Sequence, residues 1–311
     1  MSMRDKNFYM NIGVKHPLSF FINILKYNAF HKLTKQSTDL FLRGRDIISV
    51  HPLINGIYEP ELTTLINKLS QAGYGDFLID IGANIGLTSC QNGNNFEEVH
   101  MFEPNPLCCH ILAVNTQIAL TKSNYEIHPY GLGSEEKSVK LTVPKHNWGG
   151  AFINDGSNSY DEKILAGKDG FQSIDPKNYL TIDVKIKKKT TELKALFVKL
   201  SDKNLNRGVI KIDVEGYEQE VLRGIAHALP KNCSAYIIFE SWDNDFPIDE
   251  VKAEFGRDIE VGKITQTWPW KKEWPKIIKA LLLLFSKRIK SNISPIVKGE
   301  ISGDIVLLVR L

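Results

Sequence analysis

Short apolar runs alternate with segments of helical periodicity from residue 77 to the end of the chain. The runs are rich in β-branched residues, which predicts strands at residues 77–82 (FLIDIG), 98–103 (EVHMFE), 124–133 (NYEIHPYGLG), 208–216 (GVIKIDVEG), 234–241 (SAYIIFES) and 303–311 (GDIVLLVRL). Between the second and third of these runs, residues 104–117 have a helical pattern, with Asn105 as N-cap and Pro106 at the first helical position. This alternation is typical of an α/β fold with a mostly parallel sheet and helices on both faces.

Two parts of the chain depart from this alternation. Residues 138–144 (SVKLTVP) and 180–188 (LTIDVKIKK) predict an additional antiparallel strand pair, with a polar loop over residues 145–160 between them. Residues 1–70 have helical patterns without a clear strand. We therefore expect an N-terminal helical cap at 1–70 and a main α/β domain at 71–311, in which 265–295 form a basic, amphipathic helical insertion before the last strand.

The composition agrees with a globular protein that has a substantial core. The chain has 311 residues, 42% of them hydrophobic, and a net charge of +3 that is concentrated at its two ends. This small net charge gives no indication of nucleic-acid binding. The four cysteines form no C-x-x-C pair, which indicates neither a zinc site nor a disulfide framework but a reducing compartment. Since no signal-peptide pattern opens the sequence, we expect a cytoplasmic protein.

The first predicted strand ends in a glycine turn, Gly82-Ala83-Asn84-Ile85-Gly86, which would bring bare backbone close to a ligand. The turn lacks the G-x-G-x-x-G spacing of a dinucleotide site. Asp80 would repel a pyrophosphate, but it would suit the cationic amino group of a methionine moiety. A phosphate-free adenosyl ligand therefore fits this turn better than a dinucleotide does.

Glu103 ends the second predicted strand, where an acidic residue commonly binds the ribose hydroxyls of such a ligand. A purely structural interpretation is also open. Asp80 could cap a turn, and Glu103 could stabilise the N-terminus of the helix behind it. The order of strand, acid, glycine turn, helix, strand and acid favours the ligand site.

A second pair of acids follows the strand at residues 208–216. Two-residue alternation would place Lys211, Asp213 and Glu215 on one face of an extended segment, facing the same crevice. The two carboxylates could deprotonate an acceptor hydroxyl or hold a divalent ion such as Mg²⁺, with Glu240 as a second metal ligand beside Asp213. Alternatively, the Glu215 carboxylate interacts favourably with the dipole of the following helix, and Lys211 neutralises the neighbouring acids. Among the histidines, His146 in the polar loop is the best candidate for catalysis.

Three of these motifs together resemble the FkbM-type S-adenosylmethionine-dependent methyltransferases: DIGANIG, FEPNP followed by Asn115, and IKIDVEGYEQEVLRG. The resemblance implies a Rossmann-like class I methyltransferase fold, with a seven-stranded sheet whose last strand is reversed. It also implies O-methylation of a sugar or related compound. By position it assigns cofactor contacts to Glu59, Asp80, Gly82, Asn84, Gly86, Glu103, Pro104, Tyr130 and Gly131, and the acceptor side to Asp213 and Glu215.

The sequence thus predicts an O-methyltransferase that acts on a sugar hydroxyl, in a surface polysaccharide or a lipid-linked glycan. Residues 145–160 have amide and aromatic groups that suit a sugar acceptor. The basic insertion at 265–295 could lie on a membrane surface or pack on the protein, because the same amphipathic pattern serves both. A nicotinamide-dependent oxidoreductase and a non-catalytic membrane-associated protein remain as alternatives, and the oligomeric state stays open.

Overall fold

The structure is a computed structural model that describes residues 17–153, 155, 158, 160, 165, 174–242, 246–267, 290–296 and 301–311. The helices are α1 (Pro17–Leu33), α2 (Ile47–Asn55), α3 (Pro60–Leu69), α4 (Leu87–Asn92), α5 (Pro106–Ala119), α6 (Lys189–Asp202), α7 (Glu218–Ala228) and α8 (Ile248–Phe255). The strands are β1 (Phe77–Ile81), β2 (Glu98–Phe102), β3 (Asn124–His128), β4 (Gly131–Gly133), β5 (Lys137–Pro144), β6 (Phe152–Ile153), β7 (Tyr179–Lys188), β8 (Arg207–Ile212), β9 (Ser234–Ser241), β10 (Ile259–Thr267), β11 (Lys290–Pro295) and β12 (Gly303–Val309).

The main sheet has the strand order β11-β10-β12-β9-β8-β1-β2-β3 within the described residues. Strands β3, β2, β1, β8 and β9 are parallel, and β12 runs antiparallel between β9 and β10. The predicted parallel sheet and the reversed last strand are thereby confirmed. The sheet has eight strands instead of the seven expected, because β11 pairs antiparallel with β10 at its edge.

Strand β1 shows why this sheet lies between two helical layers. Phe77, Ile79 and Ile81 pack on one side, in a core cluster that also contains the apolar faces of α6 and α7. Leu78 points to the opposite side and packs with residues of α3 and α5. A central strand that is buried on both faces needs apolar residues at successive positions, which explains the continuous apolar run at this point in the sequence. Asp80, on the Leu78 side, is the exception.

A second, four-stranded sheet has the order β4-β7-β5-β6. The predicted antiparallel pair is confirmed, since β5 and β7 pair from Lys137–Ile186 to Pro144–Tyr179. The single strand predicted at residues 124–133 is wrong, because β3 belongs to the main sheet and β4 to the second sheet. Pro129 separates them, has no N–H for a ladder, and is followed by a turn in which the Tyr130 amide donates to the His128 carbonyl at 2.8 Å.

The predicted helical insertion at residues 265–295 is also corrected at both of its ends. Strand β10 continues to Thr267 and strand β11 begins at Lys290, and the two form an antiparallel ladder. The side chain of Ile293 lies close over Gly262, where a Cβ would be 2.4 Å away, so glycine permits this close pairing. The predicted amphipathic helix itself, at residues 275–289, lies outside the described residues.

The N-terminal helices differ in how they contact the domain. Helix α3 buries Leu62, Ile66 and Leu69 in the core on one side of the main sheet. Helix α2 buries Ser49 and Pro52. Helix α1 has exposed side chains at every position from 21 to 33. Among the described residues, no helix is both long and apolar enough to cross a bilayer.

All four cysteines are free thiols. Cys90, Cys108 and Cys233 are buried, and Cys109 is half-buried. Burial raises the pKa of Cys90, Cys109 and Cys233 to about 12, and it also raises the pKa of Cys108. Each of these side chains is therefore an uncharged thiol at neutral pH.

Candidate active site

The glycine turn after β1 lies against the loop that follows β8. Gly82 has a φ of +87°, and its amide and that of Ala83 donate to the Phe102 carbonyl at 2.9 and 3.0 Å. A Cβ at residue 82 would lie 1.9 Å from the carbonyl oxygen of Asp213. Only glycine permits both this backbone angle and this approach. The turn therefore brings the ends of β1, β2 and β8 together around one space.

Glu103 connects the turn to the end of β2. Its two carboxylate oxygens accept hydrogen bonds from the backbone amides of Asn84 (2.8 Å) and Asn105 (2.7 Å). Burial raises the pKa of Glu103 to about 7, while these two backbone hydrogen bonds act in the opposite direction. Each oxygen has a second lone pair, so the carboxylate can still accept hydrogen bonds from a ribose diol.

Asp80 is buried near the end of β1, beside the glycine turn. The residue is fully buried and is not among the described residues that line the cavity at the strand ends. Its Oδ2 accepts a hydrogen bond from Ser89 Oγ at 2.7 Å, and its Oδ1 lies 3.7 Å from the ammonium nitrogen of Lys211. Ser89 thus binds one carboxylate oxygen and Lys211 lies near the other, which has no hydrogen-bond partner among the described residues. Contact between Asp80 and the amino group of a methionine moiety stays a prediction.

Lys211 is the cation at the centre of the site. Its side chain is 8% exposed and lines the cavity, and its Nζ donates to Asp213 Oδ2 at 2.9 Å. Burial lowers the pKa of Lys211, but Asp213, Asp80 and Glu59 together raise it above its ordinary value. The ammonium therefore stays charged, fixes one oxygen of Asp213 and compensates the buried charge of Asp80.

Glu59 forms the opposite wall of the cavity, at the start of α3. The residue has a φ of +43°, which is strained for a side chain other than glycine. Burial raises the pKa of Glu59 to about 7; Lys211 lowers it and Asp213 raises it again. A carboxyl group that is half ionised near neutral pH thus borders the cavity beside Lys211.

These residues surround a cavity of about 470 Å³ at the carboxyl ends of the parallel strands. This volume is typical of small-molecule sites. Of the predicted cofactor residues, Glu59, Gly82, Ala83, Asn84, Glu103, Pro104 and Gly131 line the cavity. Of the predicted acceptor residues, Asp213 and Glu215 do so. The structure therefore brings most of the predicted site residues together.

Besides Asp80, three predicted site residues do not line the cavity within the described part of the chain. Gly86 instead packs against Leu112, 2.5 Å from where its Cβ would be. The Tyr130 hydroxyl donates to Glu192 at 2.6 Å, so this side chain is turned toward α6. His146 contributes its backbone carbonyl to the amide of Ile47 at 3.2 Å, and it is its neighbours Asn147 and Trp148 that line the cavity.

The prediction that Lys211, Asp213 and Glu215 lie on one extended face is only partly correct. Strand β8 ends at Ile212, and Gly216 has a φ of +82°, so Glu215 lies in a turn. The backbone carbonyl of Glu215 accepts a hydrogen bond from Asn158 Nδ2 at 2.9 Å. Glu215 reaches the cavity through this turn and not through strand alternation.

The site does not fit the divalent ion predicted at Asp213 and Glu240. The Lys211 ammonium already binds Asp213, and a second cation there would be repelled. Within the described part of the chain, the His, Cys, Asp and Glu side chains close enough to share an ion are His100, Glu126 and His128. That group lies on β2 and β3, away from Asp213, and Lys199 binds its Glu126 at 2.6 Å.

Sequence reasoning missed the cavity wall formed by the N-terminal segment. Ile48 and Tyr58 line the cavity, and the buried Asp46 connects this segment to the polar loop. Its Oδ2 accepts hydrogen bonds from the Trp148 amide (3.2 Å) and from Arg43 Nη1 (2.9 Å). The available signal was an aspartate just before an apolar helical run, which is an N-cap pattern that says nothing about a partner 102 positions away.

The strand order and the site together define a class I methyltransferase that uses S-adenosylmethionine. The reversed strand β12 lies between β9 and β10, the ligand cavity lies at the carboxyl ends of β1, β2 and β8, and Glu103 ends β2. The backbone approach at Gly82 holds the turn against the loop after β8, and Gly82, Ala83 and Asn84 of this turn line the cavity.

Comparison with known proteins agrees with this class. The family model for the methyltransferase FkbM domain matches residues 80–259. The methyltransferase sdnD of Sordaria araneosa is 26% identical over 197 residues, which span 60% of this chain and 74% of that protein. Methyltransferase 1 of Beauveria bassiana is 28% identical over 159 residues, which span 48% of this chain and 58% of that protein. The chain therefore belongs to the FkbM methyltransferase family.

Solved structures give a weaker likeness. An O-methyltransferase from Bacillus cereus in complex with SAH is 11% identical, with a TM-score of 0.39, and the match covers 96% of this chain and 93% of that one. The O-methyltransferase TomG from Streptomyces achromogenes, in complex with SAM, is also 11% identical, with a TM-score of 0.37 and coverages of 80% and 79%. Both scores are low, so the fold assignment rests on the strand order and the family match.

Proposed function

We propose that the chain transfers a methyl group to a hydroxyl oxygen of a sugar or glycan acceptor. The observation that carries this proposal is the Asp213 carboxylate, which lines the cavity and is held by the Lys211 ammonium at 2.9 Å. Further support comes from the part of the cavity lined by Asn147, Trp148 and Tyr217. Aromatic faces and hydrogen-bonding groups of this kind suit the apolar faces and the hydroxyls of sugars.

The cofactor would be held by residues on one side of the cavity. The turn at Gly82 and Asn84 gives close backbone contact, Glu103 accepts hydrogen bonds from the ribose hydroxyls, and Glu59 faces the positive charge of the methionine moiety. When bound, S-adenosylmethionine supplies an already activated methyl group. The main tasks left to this chain are to orient the acceptor and to remove its proton.

Asp213 is the group to which we assign proton removal. As the acceptor oxygen bonds to the methyl carbon and the carbon–sulfur bond breaks, the hydroxyl proton passes to a carboxylate oxygen of Asp213, and S-adenosylhomocysteine and the methyl ether leave. Lys211 holds the other oxygen and so fixes the direction of the carboxylate. We assign no step to a divalent ion, because Asp213 and Glu240 do not fit one. Glu215 lies on the same acceptor side as a second orienting group.

The reaction would take place on the cytoplasmic side of a membrane if the acceptor is a lipid-linked glycan or a surface polysaccharide under construction. The sequence suggested this through the basic segment at residues 265–295, whose central part lies outside the described residues. This location of the acceptor stays part of the proposal.

A methyl-transfer assay with candidate glycans and labelled S-adenosylmethionine tests the proposal. We expect Asp213→Asn to lower turnover by about 10²–10⁴-fold, the usual contribution of a general base, while S-adenosylhomocysteine affinity changes only a few-fold. Asp183→Asn is the matched control, because its exposed carboxylate on β7 pairs only with Lys140 among the contacts described. Equal turnover in the Asp213 variant and the wild type would remove the assignment of the base. An unchanged mass spectrum of the glycans from cells without the protein would remove the acceptor class.

A further inference from the structure

Helix α1 exposes apolar side chains around most of its circumference. Phe21 is 58% exposed and Leu25 is 53% exposed, and Tyr27, Phe30 and Leu33 are more than half exposed as well. Phe21 and Phe30 are nine positions apart, so at about 100° per residue they point to opposite sides of the helix. A helix of a globular domain normally buries its apolar residues against that domain. At the described positions 21–33 of α1, every side chain is exposed instead.

Helix α2 also exposes apolar side chains. Ile47, Val50 and Ile54 are exposed and lie three and four positions apart, on one side of that helix. Ile48, on the other side of α2, lines the active-site cavity. We call the exposed apolar side chains of α1 and this stripe of α2 the N-terminal apolar surface. Its α2 part lies on the outer side of a helix whose inner side lines the cavity.

The charges around this surface are mainly positive. Residues 17–57 contain five lysines and arginines but only two aspartates, and α1 itself contains Lys26, His31 and Lys32 with no acidic residue. One of the two aspartates, Asp46, is buried and is paired with Arg43. Cationic groups beside exposed apolar and aromatic side chains are the combination that binds an anionic bilayer.

A bilayer accounts for this surface better than a second copy of the chain does. A partner helix would cover one side of α1 and leave either Phe21 or Phe30 in water, and the like charges of two copies would repel each other. A lipid surface takes Phe21 and Leu25 into its acyl region, while the hydroxyl of Tyr27 and the lysines stay at the headgroup level. With 17 residues and a length of about 25 Å, α1 is too short to cross.

We propose that the N-terminal apolar surface docks the protein on an anionic lipid bilayer, with α1 lying in the plane of the headgroups and the outer face of α2 against them. Docking through the outer face of α2 brings the cavity wall that contains Ile48 near the membrane surface. If the proposed function holds, the acceptor is then a molecule held in that membrane by a lipid anchor, and only its hydrophilic part enters the cavity.

Flotation of the full chain with vesicles tests this proposal. The vesicles consist of phosphatidylcholine alone, or of phosphatidylcholine with about one third phosphatidylglycerol, a composition that supplies anionic charge. We expect binding to the anionic vesicles and much weaker binding to the neutral ones. The variants Phe21→Glu/Leu25→Glu and Val50→Glu/Ile54→Glu should each lower the bound fraction about tenfold or more. Lys26→Gln/Lys32→Gln should lower it mainly on anionic vesicles.

Val198→Glu is the matched control, because this side chain on α6 is also 58% exposed but lies outside the N-terminal apolar surface. Its binding should equal that of the wild type. Calorimetry with S-adenosylhomocysteine, done without lipid, shows that every variant is folded and tests the proposed function separately. Equal flotation of all variants and the wild type would overturn the proposal. A dimer in solution that the α1 variant converts to a monomer, with flotation unchanged, would assign the surface to a second copy instead.

Discussion

At the residue scale, the site contains carboxyl groups that are costly to ionise before a ligand binds. Burial raises the pKa of Glu59 and of Glu103 to about 7, from an ordinary value of 4.5. Beside the cavity, burial together with Glu240 and Asp213 raises the pKa of Asp304 on β12 to about 6. A cationic ligand such as S-adenosylmethionine would compensate this charge, so part of the binding energy comes from groups that are unfavourable in the free protein.

The first prediction concerns Glu59 and pH. Because the pKa of Glu59 is raised in the folded protein, its neutral carboxyl group stabilises the folded state relative to the unfolded state. This contribution to the free energy of unfolding is complete below about pH 4.5 and is lost as the pH rises through about 7. We therefore expect the ligand-free wild type to be less stable at pH 8 than at pH 5. Glu59→Gln should reduce this difference by on the order of 1–3 kcal/mol. Urea unfolding at the two pH values measures it.

Glu59→Gln should weaken ligand binding at high pH, although it removes a destabilising charge from the free protein there. In the wild type, S-adenosylhomocysteine affinity should fall from pH 8 to pH 6 as Glu59 and Glu103 become neutral, since the ligand keeps its ammonium group. Glu59→Gln should bind more weakly at pH 8 and show a shallower pH dependence by calorimetry. A variant with an unchanged pH profile would show that Glu59 does not face the ligand charge.

At the element scale, the turn after β1 depends on glycine for two reasons: its backbone angle and the lack of space for a side chain. Other glycines of the chain allow the two effects to be measured separately. Gly82 has a positive φ and no room for a Cβ, Gly256 has a positive φ but open space, and Gly44 has neither constraint. Alanine at position 44 should therefore introduce neither backbone strain nor a clash, and alanine at position 256 should introduce strain alone. Alanine at position 82 should introduce strain together with a clash against the backbone.

We expect the alanine variants to follow this order. Gly44→Ala should change the free energy of unfolding by less than about 0.5 kcal/mol, and Gly256→Ala should cost about 1–2 kcal/mol. Gly82→Ala should cost more than either, and it should weaken S-adenosylhomocysteine binding because the loop after β8 must move away from the Asp213 carbonyl. Thermal unfolding and calorimetry measure both effects. Native binding in the Gly82 variant would contradict the role of this contact.

Most helices and strands around the site could be predicted from the sequence, but some could not. Six strands of the main sheet, the β5–β7 pair and the Asn105 cap of α5 could be predicted, since alternation, composition and cap chemistry are local signals. Strand β10 was not predicted, and β11 lies in a segment predicted as helical. The division at Pro129 was missed because the apolar pattern continues on both sides of it. The pairing of β11 with β10 was missed because it depends on an edge that exists only after the sheet has formed.

At the scale of the whole molecule, the N-terminal segment is held on the domain by Asn115. This fully buried side chain accepts a hydrogen bond from the Phe41 amide at 2.7 Å, and it donates to the carbonyls of Phe41 (3.1 Å) and Ile85 (2.8 Å). It thus joins the N-terminal segment, helix α5 and the glycine turn. The sequence identified Asn115 as part of a motif, but a contact 74 positions away cannot be read from local patterns.

We expect Asn115→Ala to loosen the N-terminal segment more than the rest of the protein. Loss of these buried hydrogen bonds should cost about 1–3 kcal/mol, since backbone groups would be left unpaired. Amide hydrogen exchange should become faster at residues 34–59, and S-adenosylhomocysteine should bind more weakly because Tyr58 and Glu59 line the cavity. Asn94→Ala is the control, since its hydrogen bonds to Ala119 and Lys122 are exposed. An increase in amide exchange rate that is equal over the whole chain of the Asn115 variant would contradict this role.

The buried thiols make the chain convenient for site-directed labelling. Maleimide dyes react with a thiolate, and the four native cysteines, with pKa values raised by burial, present almost none at neutral pH. A cysteine introduced at an exposed position would therefore be modified first, and none of the native cysteines would need to be replaced. An environment-sensitive fluorophore placed at position 25 would then report the polarity around α1 in real time, because this would be the labelled position of the chain.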